Sequence, residues 1–241
     1  MNRDVFDVLF LIARPAAGKS EIIDYLEQTP DDERQHRFHI GPFDVLDDFP
    51  MLWTWFEEDA ILEKMGHPRL HTDADGYFKH EYLWHVLIER LALEYRKLQR
   101  DRPPDQERTA IVEFARGSQH GGYQAAFRHF PAEMLQRGAI AYVHVSFEES
   151  LRKNRRRSDP ERPDSILAHS LPDEKLRRLY REDDWETFSA GDPRFVPIQG
   201  VRVPYAVFEN EDDVTTDRGP ALGVRLEEVL DRLWTIEQGN T

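Results

Sequence analysis

The tripeptide Gly18-Lys19-Ser20 lies between an apolar run and an amphipathic one, and its three residue types suit one kind of chemistry. A triphosphate needs several backbone N–H groups converging on one concavity, a helix N-terminus behind them, a lysine for the outer phosphates and a hydroxyl for Mg²⁺. These residues supply the second half of the pattern G-x-x-x-x-G-K-[ST], with Ala13 where its first glycine should stand and Pro15 close behind. The departure matters because that glycine usually lets the chain leave the strand and turn. The context supports a phosphate loop: residues 5–12 are nearly all apolar, as in a strand buried on both faces, and Ile22, Ile23 and Leu26 repeat at helical spacing. The alternative is a strand that turns into a helix through a glycine.

Three further groups carry chemistry. Asp44, Asp47 and Asp48 follow a strand-like stretch in IGPFDVLDDFPMLW, and open parallel sheets bind ligands at the carboxyl ends of their strands. Aspartates in that position also cap helices, and a helix starts near Pro50. Glu113 ends a buried strand in AIVEFARGSQHGG, with Arg116 three residues on. A carboxylate there can orient Mg²⁺ through water and a guanidinium can reach an acceptor anion, or the two form a charge pair that closes the strand end. Arg152, Lys153, Arg155, Arg156, Arg157 and Arg162 then fall within eleven residues. Such a run is commonly a solvated helix face; beside a triphosphate it would neutralise charge that spreads over the transferring group. Arg152 and Arg156, one four-residue step apart, share a helical face.

The elements that must position these groups alternate. Strands are expected at 5–13, 37–43, 109–115, 140–147 and 203–208, with helices at 19–27, 52–64, 77–100, 122–137, 148–157, 173–189 and 222–237. Trp84, Leu87, Leu91, Tyr95 and Leu98 give the long helix its rhythm, and the polar connector DRPPDQER returns the chain to the sheet. Alternation of this kind implies a three-layer α/β fold with a mostly parallel sheet flanked by helices.

Phosphate loop after the first strand, helical region after the second, acidic residue ending the third and arginine-rich segment after the fourth: in this order the chain resembles the P-loop kinases of the nucleotide and nucleoside kinase group. The resemblance implies a P-loop NTPase fold of five strands in the order 2-3-1-4-5, forming a single domain over 1–241 with an acceptor-binding helical region at 44–100 and an arginine-rich lid at 148–172. It implies ATP and Mg²⁺ as co-substrate and cofactor. Ala16, Ala17, Gly18, Lys19, Ser20 and Glu21 would bind the nucleotide, with Lys19 on the β- and γ-phosphates and Ser20 and Glu113 serving the metal. Asp44 would act on the acceptor hydroxyl, followed shortly by Trp53, and Glu113 is the other candidate for that role. Asp44, Trp53, Glu113 and Arg116 would line the acceptor site, Arg152 and Arg156 would reach the transferring phosphate, and FENEDD at 208–213 would hold the base through its backbone. The expected activity is transfer of the γ-phosphoryl group to a small acceptor such as a nucleoside or nucleotide. An ATPase or nucleotide-driven switch, and a binding domain without turnover, stand as rivals.

Bulk properties narrow the classes further. The 241 residues are 39% hydrophobic and 32% charged, a globular composition, with apolar runs too short to span a membrane. Asp4 and Asp7 interrupt any N-terminal leader, so a cytoplasmic location is expected. The absence of cysteine removes disulfides, thiol nucleophiles and thiolate metal sites. A net charge of −14 argues against a nucleic-acid polymer or an anionic membrane as partner, and a homodimer is left open.

Overall fold

Alternating burial of one strand organises the molecule. In β1 (Val8–Ala13) every residue is buried; Leu9, Leu11 and Ala13 enter the core on one face of the sheet and Val8, Phe10 and Ile12 the core on the other. The structure is a computed structural model that describes residues 4–101, 103, 107–157 and 170–239. After β1 come α1 (Lys19–Gln28), α2 (Asp31–Phe38), β2 (Phe43–Asp47), α3 (Phe49–Lys64), α4 (Tyr82–Asp101) and β3 (Thr109–Phe114). A short turn of 3₁₀ helix, Ser118–His120, precedes α5 (Gly122–Phe127), α6 (Ala132–Leu135), β4 (Gly138–His144) and α7 (Phe147–Arg157). The chain ends with α8 (Asp173–Tyr180), α9 (Trp185–Ser189), β5 (Phe195–Ile198), β6 (Val201–Glu209) and α10 (Pro220–Gln238).

The sheet has six strands in the order β2-β3-β1-β4-β6-β5, parallel except for β5, which runs antiparallel to β6. Ile22 and Leu26 of α1 and Leu226 and Leu230 of α10 fill one side; Leu91 of α4, Phe127 of α5 and Trp185 of α9 fill the other. This is the expected three-layer α/β architecture, with one strand more. No helix among the described residues is long and apolar enough to cross a membrane.

Three expectations are corrected. The stretch read as a strand at 37–43 is the end of α2 and a turn, and β2 starts only at Phe43. Local charge explains α2: Asp31, Asp32 and Glu33 fill its first turn and His36 and Arg37 its last, complementing the helix dipole. The buried Arg34 guanidinium donates to the carbonyls of Leu26, Thr29 and Gly41, so the helix also closes the end of α1. The helices expected over 122–137 and 173–189 are each broken in two, the first around Pro131. The added strand, β5, comes from a two-residue hairpin at Gln199-Gly200, both at positive φ (51° and 81°), as primed turns require. Pro197, which donates nothing, sits exposed on this edge strand.

Asp59 of α3 fixes the loop that follows. With no exposed surface, it accepts the backbone N–H groups of Leu70 (2.6 Å), His71 (3.1 Å) and Thr72 (2.6 Å) and the Thr72 hydroxyl (2.6 Å). Burial alone would raise its pKa; the Thr72 hydroxyl and the three N–H donors overcome this and bring it down to about 2. A depressed carboxyl contributes stability above its ordinary value of 3.8 and loses it as pH falls toward 2. Asp59→Asn is therefore expected to cost about 2 kcal/mol at pH 7 and less at pH 3. Urea unfolding of the two proteins at both pH values tests this, and an equal cost at both contradicts it.

Candidate active site

Parallel strands send their carboxyl ends to one edge of the sheet, where the loops after β1, β2 and β3 meet around a cleft of about 1290 Å³. The loop after β1 explains how the chain manages without its first glycine. Ala13 remains in strand geometry, buried in the core, and the positive φ appears later, at Ala16 (58°) and Gly18 (112°). The strained path is held from outside. Ser150 of α7 donates its hydroxyl to the Pro15 carbonyl (2.8 Å) and Asn210 donates its amide to the Ala17 carbonyl (2.8 Å). Arg14 pairs with the buried Asp183.

Gly18 packs directly on that bracing. A Cβ there would lie 2.6 Å from the Thr215 hydroxyl oxygen and 2.8 Å from the Asn210 amide nitrogen, at a φ that L-residues rarely adopt. Gly18→Ala is expected to weaken Mg·ATP binding by about 10- to 100-fold, since backbone strain of this sort costs about 1–3 kcal/mol. Equilibrium binding of a fluorescent ATP analogue reads it, and unchanged affinity contradicts the assigned loop.

Lys19 begins α1, is 7% exposed, and places Nζ 3.7 Å from Oε1 of Glu113 at the end of β3. Ser20 is exposed in the same first turn and lines the cleft. Glu21, also lining it, pairs with Arg157 of α7 (3.0 Å). Burial raises the Glu21 pKa, but Arg157 and its neighbours bring it below the ordinary value. Asp47 is in register with Glu113 on the adjacent strand and lines the cleft floor. Burial, then Glu113 and Asp48, push its carboxyl up to about 8, against the Phe49 N–H and Lys19. Glu113 is raised as well, by burial above all, with Lys19 opposing. The floor thus gathers more carboxyl groups than its lysine balances, which favours their protonated forms.

The neighbouring cation does not relieve it. Arg116 is buried and already engaged, with Nη1 2.6 Å from Oδ2 of Asp48, Nη2 donating to the Trp84 carbonyl (3.1 Å) and the guanidinium over the Trp84 ring (5.3 Å). His120 stacks on Trp84 (3.8 Å between centroids), and burial followed by Arg116 lowers its pKa to about 3, so it stays neutral. Trp53, on α3, lines the cleft between Phe49 and Phe56.

Two sequence expectations move. Asp44 lies at the amino end of β2, outside the cleft, with its carboxylate accepting two hydrogen bonds from Arg108 (3.0 Å each). Because the strand starts six residues later than expected, Asp47 and Asp48 take the carboxyl end instead. Arg152 and Arg156 do share a helical face, but it faces the 210–215 loop: both pair with Asp213 (2.7 and 3.1 Å), and Arg152 also with Glu149. Neither lines the cleft; Arg157, one position on, does. Lys153 is buried on the same loop, bonding Asp213 (2.6 Å) and Thr215 (2.9 Å). Arg162 and the part of the lid segment at 158–169 lie outside the described residues. Ala16 lines the cleft, whereas Ala17 and Gly18 turn toward the bracing residues behind the loop.

Sequence reading missed Ser150, Asp183 and Asn210, whose hydrogen bonds to the loop span 135, 169 and 193 positions, and Thr215, which packs beside Gly18. Only the FENEDD stretch drew attention to Asn210, and for a different role. Among the described residues no three carboxylate or imidazole groups converge as a metal cage. The donors that do open on the cleft, the Ser20 hydroxyl and the Asp47 and Glu113 carboxylates, are hard oxygens. That set fits Mg²⁺, which takes one or two protein oxygens and completes its shell with phosphates and water.

No protein-family model matches the chain and no curated protein matches it. Among solved structures it is similar to a gluconokinase from Sinorhizobium meliloti 1021, at 14% identity over 97% of this chain and 98% of that chain, with a TM-score of 0.38. A likeness of that degree says nothing of activity.

Proposed function

We propose that the protein is an ATP- and Mg²⁺-dependent phosphotransferase of the P-loop kinase type, acting on a small acceptor such as a nucleoside, nucleotide or similar metabolite. One observation carries this reading: Lys19 and the first turn of α1 open on the same cleft whose floor is formed by Asp47 and Glu113. In a chain of net charge −14, a triphosphate is accommodated by local donors, namely the α1 amides, Lys19 and Arg157.

In the proposed reaction the acceptor hydroxyl oxygen forms a bond to the γ-phosphorus and the bond from that phosphorus to the β,γ-bridging oxygen breaks. ADP leaves with the electron pair, and the acceptor proton passes to a carboxylate. Asp47 takes that position in place of Asp44, being at the strand end and on the cleft, and acts in its ionised form, which prevails above about pH 8 in the protein without nucleotide. Glu113 holds Lys19 and would orient Mg²⁺, with the Ser20 hydroxyl as its direct ligand. When bound, the ion would supply charge neutralisation for the transferring group. Arg157 exchanges Glu21 for a phosphate oxygen, a short move for a side chain already on the cleft.

The test follows label from γ-labelled ATP with Mg²⁺ through a pool of nucleosides, nucleoside monophosphates, sugars and metabolite extract. Label in an organic product supports transfer. Label released only as inorganic phosphate makes water the acceptor and overturns it in favour of an ATPase, and no release with no ATP binding leaves a domain without turnover.

A further inference from the structure

Six cations among the described residues line the cleft: Lys19, Arg116, Arg157, Lys175, Arg178 and Arg218. Four have a carboxylate partner, respectively Glu113, Asp48, Glu21 and, for Arg218, Asp24. Lys175 and Arg178 of α8 have none among the described residues, although acidic residues outnumber basic ones 46 to 32 in the chain. Both lie instead over the Tyr77 ring, at 5.2 and 4.0 Å from its centroid, and Lys175 donates to the Gly76 carbonyl (3.3 Å). An aromatic face attracts an exposed cation by about 0.5–1 kcal/mol, less than a charge-assisted bond to an anion, and like charges one helical turn apart repel. Among the described residues the pair is therefore a place where positive charge is held ready and left unneutralised.

We propose that Lys175, Arg178 and Tyr77 form the seat for an anionic group, phosphate monoester or carboxylate, on the phosphoryl acceptor. The inference rests on the phosphotransferase reading for the word acceptor, and it narrows that acceptor to a molecule carrying both a hydroxyl and an anion. Arg116, expected from sequence to meet that anion, is neutralised by Asp48; the cations of α8 take over the task.

Both sides of the seat are held in place before any ligand arrives. On α8, Leu176 and Tyr180 are buried against Phe147 and Leu151, and Gly117 packs so closely that a Cβ would come within 1.8 Å of the Leu179 carbonyl oxygen. Glu182, just past the helix, accepts the Ser118 N–H (2.8 Å). On the other side, the Tyr77 N–H donates to Asp73 (2.8 Å), and Thr72, bridged to Phe78, is anchored by Asp59. Gly76 leaves room for Lys175, since a Cβ would lie 2.6 Å from its Nζ. Arg178 is exposed and brings a planar fork suited to two oxygens at once.

The test separates the labelled-ATP acceptor pool by anion exchange into neutral, carboxylate-bearing and phosphate-bearing fractions, and compares wild type with Lys175→Met, Arg178→Met and, as a control, Arg177→Met, whose side chain lies over Phe147 and does not line the cleft. Label is expected in one anionic fraction, with kcat/KM lowered about 10- to 100-fold by each of the two seat variants, mainly through KM, and unchanged by the control. Which anionic fraction is labelled tells a carboxylate from a phosphate. Equal labelling of the neutral fraction by wild type and seat variants overturns the seat. A second arm needs no turnover: with Mg·AMP-PNP filling the phosphate loop, orthophosphate and acetate are titrated by calorimetry. Binding of either that is lost in Arg178→Met supports the seat even if no transfer is found. Binding of neither, or binding unchanged in the variants, overturns it while leaving phosphotransfer standing.

Discussion

Lys19→Met lowers phosphoryl transfer by at least about 1,000-fold while the protein stays folded; that is the result expected if the phosphate loop is the catalytic element. Among the described residues the lysine is the one loop cation that reaches the cleft floor, and its loss would remove positive charge where the transferring group gathers negative charge. Methionine keeps the buried stem, so the packing around a residue 7% exposed survives. Glu113, already raised by burial, loses the neighbour that opposed the rise, so its neutral form is favoured further and the fold is spared part of the cost of an unpaired buried charge. Label transfer and thermal unfolding measured together decide the matter. Turnover within tenfold of wild type, in a folded variant, removes the loop from the mechanism.

Asp47→Asn is expected to separate activity from stability. Transfer falls about 100- to 10,000-fold, the range for loss of a positioned general base, while the protein without nucleotide becomes more stable at alkaline pH. The sign follows from linkage. The Asp47 carboxyl rises from 3.8 to about 8 on folding, so between those values the folded chain holds a proton that the unfolded chain has released, and stability falls as pH rises through the window. Asparagine does not ionise and escapes that loss. Because the carboxyl meets solvent at the cleft and shares its repulsion with Glu113 and Asp48, the gain at pH 9 relative to pH 5 is about 1–2 kcal/mol rather than the full linkage value. Asp44→Asn, whose carboxylate meets Arg108 outside the cleft, shows no such trade and keeps transfer near wild type. If Asp44→Asn, and not Asp47→Asn, abolishes transfer, the assignment of the base is reversed.

How far these residues could be read in advance depended on the range of the forces placing them. The Gly18-Lys19-Ser20 turn was legible because a buried strand, a small-residue turn and an amphipathic helix are contiguous, and each leaves its period in the chain. The α4 helix was legible for the same reason, its buried Trp84, Leu87, Leu91 and Tyr95 recurring at three- and four-residue steps. The aspartate at the cleft was not. Phe43 to Asp47 owes its place to pairing with Thr109 to Glu113, and nothing local distinguishes Asp44 from Asp47 until that register is known. The β5–β6 hairpin has a local signal in Gln199-Gly200, but β5 is only four residues long and leaves little period in the chain.

By itself, the sequence determined the alternation of elements, the three-layer α/β class, the Gly-Lys-Ser turn after the first strand and the acidic end of the third, since periodicity and turn chemistry act between residues close along the chain. Tertiary structure alone decided which charges remain available. Docking of α7 on the 210–215 loop gives Arg152, Lys153 and Arg156 to Asp213 and leaves Arg157 on the cleft. Burial gives Arg116 to Asp48, and the packing of α8 across from Tyr77 leaves Lys175 and Arg178 without a carboxylate among the described residues. The physical reason is common to all of these: a helix fixes which residues share a face, but which partner that face meets is settled by packing between segments far apart in the chain.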